Sequence, residues 1–224
     1  MRVMVFAPHP DDESIGMGGT IYKHTQGGDE VYVIFMTDGS GGGFDIEPEK
    51  LVKIREEEAK EACNVLGVSK IEFLRFKDGA LFLNYETISR VAKLIRTFKP
   101  DRIYIPHGDA VIGEDNLDHI NTYRIVREAI FKTYLPHYAE FGKEAWNVRE
   151  VYAYETLTPM RDPTSFVDIT DVLHKKLEAI SKHKSQIAWA DWKESIVAWN
   201  RVRGIISGVG QYVEAFKAVR TTLF

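Results

Sequence analysis

A single cysteine, Cys63, stands in a chain of 224 residues. This excludes an intrachain disulfide and a cysteine-based zinc knuckle. Cys63 falls in the helical pattern of residues 55–67 and is expected in the core. No apolar stretch approaches the roughly 20 residues needed to span a bilayer. The opening segment MRVMVFAPHPDDE has one arginine and a short apolar run, then acids where a signal peptide would stay apolar. It reads as a buried strand of a cytoplasmic protein. Basic blocks are also missing. Lys plus Arg is 29 against 33 for Asp plus Glu, a net charge of −4, which disfavours a dedicated nucleic-acid binder. Hydrophobic residues at 44% and charged residues at 28% exclude a disordered chain. Without a linker, repeat or low-complexity segment, residues 1–224 read as a single domain.

Strand-like segments are Val3–Ala7, Glu30–Met36, Ile71–Phe76, Arg102–Pro106 and Val151–Glu155. The first, second and fourth are nearly continuous apolar or aromatic runs, as in strands covered on both faces. Helical patterns fall between them at Ile15–Gln26, Pro48–Leu66, Tyr85–Phe98 and His119–Tyr134, each stopped by glycine or proline. This alternation predicts an α/β fold, a Rossmann-like three-layer sandwich with a mostly parallel sheet. In the last third, Phe166–Ile169 is expected as a short strand, Leu173–Ile187 and Ser195–Val202 as helices, and Gly210–Val219 as a closing segment. Trp189, Trp192 and Trp199 are expected to pack in the core. The segment Asp38–Glu47 holds four glycines, which suit either a flexible surface loop or close backbone approach to a ligand.

Ligands bind beyond the carboxyl ends of the strands in such a sheet. The first strand is followed by His9-Pro10-Asp11-Asp12-Glu13, the second by Thr37-Asp38-Gly39, the third by Lys77-Asp78-Gly79. The fourth leads to His107 and a loop ending Asp115-Asn116-Leu117-Asp118-His119. Acids and histidines thus converge on one edge. Carboxylates packed closely repel, and burial adds a desolvation cost. A bound dication offsets both. His9, one of Asp11 or Asp12, and a distant histidine could supply a zinc site with a position left for water. The other aspartate would then accept the water's proton. Asp11-Asp12 is also a plausible helix N-terminal pair, which would leave His9 unexplained.

These residues resemble the PIG-L/LmbE-like zinc-dependent N-deacetylases. The resemblance rests on Ala7-Pro8-His9-Pro10-Asp11-Asp12-Glu13, Gly16, Gly18-Gly19-Thr20 and Thr37-Asp38-Gly39. It continues through Arg55, Glu58, Leu66-Gly67-Val68, Asp78-Gly79, Leu81, Asp118-His119, His183, Ser185 and Gln186, and ends at Tyr212, Glu214, Ala215 and Phe216. It implies that His9, Asp12 and His119 bind Zn²⁺ and that Asp11 is the general base. It further implies that Arg55 and Asp78 contact an acetylated amino sugar, that Asp118 tunes the histidine side, and that Glu13 is structural. His183 is expected as a packed histidine near the site. Many relatives carry a second histidine three residues before the metal-binding one, proposed to stabilise the oxyanion. This chain has Asn116 there, and an amide cannot carry positive charge. His107 is the substitute candidate, with zinc alone as the alternative. Relatives are often oligomeric, which leaves a homo-oligomer possible here.

The implied activity is removal of an N-acetyl group from an N-acetylglucosamine-type sugar or conjugate, or cleavage of a larger amide conjugate of glucosamine. A nucleotide-binding Rossmann module is disfavoured because no G-x-G-x-x-G follows the first strand; Gly16-Met17-Gly18-Gly19 lies inside the next helix. A metal-free sugar-binding module is disfavoured because it has no need of His9, Asp11, Asp12 and His119 together.

Overall fold

The computed structural model describes residues 1–43, 45–108, 117–188 and 192–221. In chain order the elements are β1 (Arg2–Ala7), α1 (Asp12–Gln26), β2 (Glu30–Thr37), α2 (Pro48–Val65), β3 (Lys70–Phe76), α3 (Tyr85–Phe98), β4 (Arg102–Pro106) and α4 (Leu117–Tyr134). A short 3₁₀ turn (Ala139–Phe141) leads to β5 (Glu150–Tyr154), β6 (Ser165–Asp168), α5 (Leu173–Ile180), α6 (Lys184–Ile187), α7 (Trp192–Ser207) and β7 (Val213–Thr221).

Seven strands form one sheet in the order β3-β2-β1-β4-β5-β7-β6. The pairs from β3 to β5 are all parallel, and β7 runs antiparallel to both of its neighbours. The strand alternation explains the layers. Met4, Phe6, Ile34 and Met36 face one way and pack with Val91, Ile95, Ile125 and Val126 of α3 and α4. Val3, Val5, Val33 and Phe35 face the other way and pack with Met17, Ile21, Ala59, Ala62 and Cys63 of α1 and α2. Both faces of the central strands are buried, so their sequences are continuously apolar rather than alternating. Cys63 is a core residue, as its helical position implied.

The expected helix over Leu173–Ile187 is two helices. Ser181 Oγ donates back to the Leu177 carbonyl at 2.7 Å, ending α5. The chain then turns so that His183 is buried before α6 begins. The expected closing segment is a full antiparallel strand. Trp199 is half-buried rather than in the core. Its indole N–H donates to Glu155 at 3.1 Å, and it lines a pocket of about 210 Å³. Trp189 and the side chain of Trp192 lie outside the described residues.

One buried arginine holds the far end of α4. The last carbonyls of a helix have no intrahelical partner. Arg96 of α3 donates to the carbonyls of Lys132 (3.3 Å), Leu135 (2.8 Å), Tyr138 (2.7 Å) and Gly142 (2.7 Å) and is 4% exposed. Arg96→Ala removes this donor from all four. The Lys132, Leu135 and Tyr138 carbonyls each keep one backbone N–H, from Leu135, Tyr138 and Phe141, while the Gly142 carbonyl loses the guanidinium. We expect it to lower unfolding stability by about 3 kcal/mol or more, read by urea denaturation at unchanged m-value. A loss below about 0.5 kcal/mol, the size of an ordinary surface substitution, would show that water replaces the guanidinium there.

Candidate metal centre

The site is assembled from the ends of parallel strands. β1 delivers His9, and α1 begins at Asp12, three residues earlier than the apolar pattern indicated. Asp12 and Glu13 therefore sit in the first helical turn. The turn is held by β2, where Thr37 N–H (3.0 Å) and Oγ1 (2.9 Å) both donate to the Pro8 carbonyl. α1 is kinked at Met17, which frees backbone donors in mid-helix. Glu214 of β7 accepts from Gly19 N–H at 3.0 Å and Thr20 N–H at 2.7 Å, and Lys176 neutralises it at 2.7 Å. The second half of the helix is thus capped by a carboxylate from the other end of the chain. Close helix–sheet packing needs Gly16, where a Cβ would collide with the Tyr154 ring and the Glu155 carbonyl.

His9, Asp12 and His119 come together and are all buried. Asp12 Oδ2 lies 3.1 Å from His9 Nδ1 and 3.4 Å from His119 Nε2. The two imidazole centroids are 5.2 Å apart. One ligand atom from each of the three residues lies within 4.8 Å of the others. His9 Nε2 faces Asp78 Oδ1 and Asp118 Oδ2, each at 3.3 Å, and these three residues meet the same spacing. Asp118 also accepts from Gly79 N–H (2.7 Å) and Leu81 N–H (3.0 Å), which ties the β3 loop to α4.

Asp11 sits at the edge of this set. Its carboxylate pairs with Arg55 Nη2 at 3.2 Å. Arg55 is not on a solvated helix face. It is 3% exposed and donates to the Gly39 carbonyl at 3.0 Å and the Pro10 carbonyl at 3.0 Å. Gly39 has a φ of 66° and a position where a Cβ would press on Pro10 and Arg55, so glycine is required there. Asp78 Oδ2 accepts from Gly41 N–H at 2.9 Å. The glycine loop therefore makes close backbone approaches to the protein's own site residues.

The electrostatics follow from this crowding. Burial pushes the Asp11 carboxyl up to about 6, with Arg55 opposing the rise and Asp12 adding to it. Burial acts the same way on Asp12, but His119 and His9 outweigh it and hold its pKa below the ordinary value. Burial would lower His9; the carboxylates of Asp118, Asp12 and Asp78 outweigh it and raise that imidazole well above its usual range. Asp78 is held at about 2: its burial is overcome by His9, Gly41 N–H and Arg55. A ring enclosed by three carboxylates suits a place that also receives a cation.

His107 is buried, with Nε2 2.9 Å from the Thr158 carbonyl. A neutral ring donating there presents only an acceptor at Nδ1. Asn116 lies outside the described residues. Thr156 was not singled out from the sequence, yet its Oγ1 is 3.4 Å from His119 Nδ1. The available signal was its place just past the fifth strand, the same kind of strand-end position as the other site residues.

Histidines and carboxylates gathered at the carboxyl edge of a mostly parallel sheet, with one more carboxylate set beside them, are what a metal-dependent hydrolase of the α/β class requires. Comparison with known proteins narrows that class. The PIG-L family, described as GlcNAc-PI de-N-acetylase, matches residues 4–130, and the chain belongs to it. A diacetylchitobiose deacetylase of Thermococcus kodakarensis is 32% identical over 227 residues, covering 97% of this chain and 83% of that protein. The solved N,N'-diacetylchitobiose deacetylase from Pyrococcus horikoshii superposes with a TM-score of 0.89 at 32% identity, over 97% of this chain and 83% of that one. A probable N-acetyl-alpha-D-glucosaminyl L-malate deacetylase of Bacillus anthracis is 29% identical, covering 84% of this chain and 82% of its own length. Among the described residues no helix is long and apolar enough to cross a membrane.

Proposed function

We propose that this protein hydrolyses the acetamide of an N-acetylglucosamine-type sugar, free or conjugated, releasing acetate and the free amine. The observation that carries the reading is the buried His9–Asp12–His119 set with Asp11 and Arg55 directly beside it. Its relatives' acetylated amino sugars supply the substrate class.

Two nitrogens and one carboxylate oxygen are donors that zinc favours, and three protein ligands leave a position open. The other set, His9 with Asp78 and Asp118, suits an ion less well. Both oxygens of Asp118 already accept backbone N–H groups. In our reading Asp118 and Asp78 are outer partners that fix the His9 ring, with Nδ1 turned toward the ion. Zinc, when bound, lowers the pKa of its water and polarises the amide carbonyl.

The remaining steps belong to the chain's own side chains. Asp11 accepts the proton from the attacking water as oxygen adds to the amide carbon. It then returns a proton to the nitrogen as the C–N bond breaks. Arg55 keeps Asp11 in place and ionised. Its guanidinium is enclosed by protein groups, so we assign it to Asp11 first and leave Asp78 as the nearer candidate for a sugar hydroxyl. His107, already engaged with Thr158, is a poor oxyanion donor, which leaves zinc as the main electrophile.

The test is an amine-release screen over acetylated amino sugars and their conjugates, with and without chelator. Release from N-acetylglucosamine derivatives that stops with chelator and returns with zinc is the expected result. Full turnover in demonstrably metal-free protein would overturn the reading. Asp78→Asn should lower kcat/KM on the best sugar by about 10- to 100-fold through loss of a charge-assisted hydrogen bond. Because the asparagine carbonyl can still accept from His9 Nε2, it should leave the poor turnover of a simple acetamide nearly unchanged. Equal losses on both compounds would remove Asp78 from sugar recognition.

A further inference from the structure

We propose that the pocket between α1 and α7 is a second binding site, for a small uncharged ligand with an apolar ring and one hydroxyl or N–H donor. None of its lining residues is a candidate metal ligand, Asp11, Arg55 or Asp78.

The pocket has a volume of about 210 Å³. An engineered apolar cavity of about 150 Å³ holds benzene, so this one has room for a ring with a short substituent. Ile15, Leu157, Pro159, Ile196, Trp199 and Ala215 supply its apolar wall. Leu157, 39% exposed, and the exposed Ser195 open it to solvent. Thr156, in the same lining, reaches His119 Nδ1 at 3.4 Å, so the pocket abuts the metal centre.

The polar lining decides the class of ligand. Glu155 and Glu214 are carboxylates, but neither is free to take a cation. Glu155 accepts from Trp199 Nε1 (3.1 Å), Arg203 Nε (3.1 Å) and Met160 N–H (2.7 Å). Glu214 accepts from Lys176 and from two N–H groups of α1. A charged ligand would lose its hydration and meet no unpaired countercharge in the described lining. Asn200 differs. It is 5% exposed, and its Nδ2 donates to the Val213 carbonyl at 2.9 Å. Its Oδ1 is buried with no hydrogen-bond partner among the described residues. A buried acceptor left open costs free energy until a donor reaches it. A ligand hydroxyl or N–H supplies that donor. A polyhydroxylated sugar brings more polar groups than this wall can answer.

The wall is also fixed in advance. Trp199 is pinned by its N–H on Glu155 and by the Arg203 guanidinium, whose carbon lies 4.9 Å from the ring centroid. Arg203 is 5% exposed and donates to the Met160 carbonyl at 2.7 Å. Burying the Glu155–Arg203 pair is costly, and here it braces a large flat side chain at the edge of a cavity. Ile196, Trp199, Asn200 and Arg203 recur at three- and four-residue intervals along α7. One helix face therefore carries the apolar wall, the open acceptor and the brace. A wall ordered before the ligand arrives lowers the cost of binding.

Titration calorimetry of the full chain with benzyl alcohol tests this. Saturable binding of a single molecule per chain is expected. Toluene, the same ring without a donor, should bind about 2- to 10-fold more weakly. Benzoate and benzylammonium should show no saturable binding over the same range. Ala215→Leu puts extra carbons into the pocket and should weaken benzyl alcohol by about 10-fold or more at unchanged circular dichroism. Leu157→Trp, which narrows the mouth, serves if Ala215→Leu folds poorly. Absence of saturable benzyl alcohol binding would leave the pocket to water and overturn the inference. So would equal affinity for toluene, charged analogues that bind as well, or full affinity in the filled variant. The measurement reads binding alone, so its result is separate from whether acetylated amino sugars are hydrolysed.

Discussion

Asp11→Asn should keep its metal and lose about 10²- to 10⁴-fold in kcat, the usual range for a general base. The geometry separates Asp11 from the ligand set. Its carboxylate is directed to Arg55 at 3.2 Å, whereas Asp12 Oδ2 stands between the two imidazoles. The amide of asparagine is nearly isosteric and can still accept from Arg55, so the fold and the metal should survive. What it cannot do is take a proton. Zinc content by elemental analysis and kcat by amine release are the two measurements. A variant with the metal lost and the fold intact would make Asp11 a ligand.

Asp12→Ala should have the opposite signature: metal lost and turnover reduced to background. Asp12 is the carboxylate shared by His9 and His119, and it also accepts the His9 backbone N–H at 2.9 Å. In the proposed site, removing it withdraws one of three ligands and the anchor of a second. It also leaves two buried imidazoles without the charge that offsets a cation. Added zinc at concentrations that saturate wild type should restore little activity. A fully metallated, active Asp12→Ala protein would show that the His9–Asp78–Asp118 set holds the ion instead.

Much of this arrangement is written locally in the chain. Strands buried on both faces must be apolar throughout, and β1, β2 and β4 show that directly. Their helices end where Gly67 and Pro100 intervene. The parallel sheet follows from alternation, and its carboxyl edge follows from the direction of the strands. His9, Asp11 and Asp12 are therefore placed on one turn, and His119 opposite, by the chain's local pattern alone. The late segments were less legible because their geometry is set by distant partners. Just past the α5–α6 break, His183 meets Glu13, 170 residues away, a pairing no local pattern encodes. Trp199, whose spacing resembles a core stripe, turns its indole to Glu155 and a pocket wall.

The sequence by itself determined the fold class, the converging strand-end loops and the residue types of a metal-dependent hydrolase. These depend on hydrophobic period, turn chemistry and ligand chemistry, all of which are local. Only the tertiary structure decided which partner each polar side chain meets. It enclosed Arg55 against Asp11, turned Asp118 onto His9 Nε2, and brought Glu214 of β7 to the kink of α1. The physical reason is that burial makes a charged group's environment depend on every element packed around it. A sequence records that Arg55 and Glu214 are charged. Their roles are fixed by which distant carbonyls, amides and carboxylates the fold closes over them.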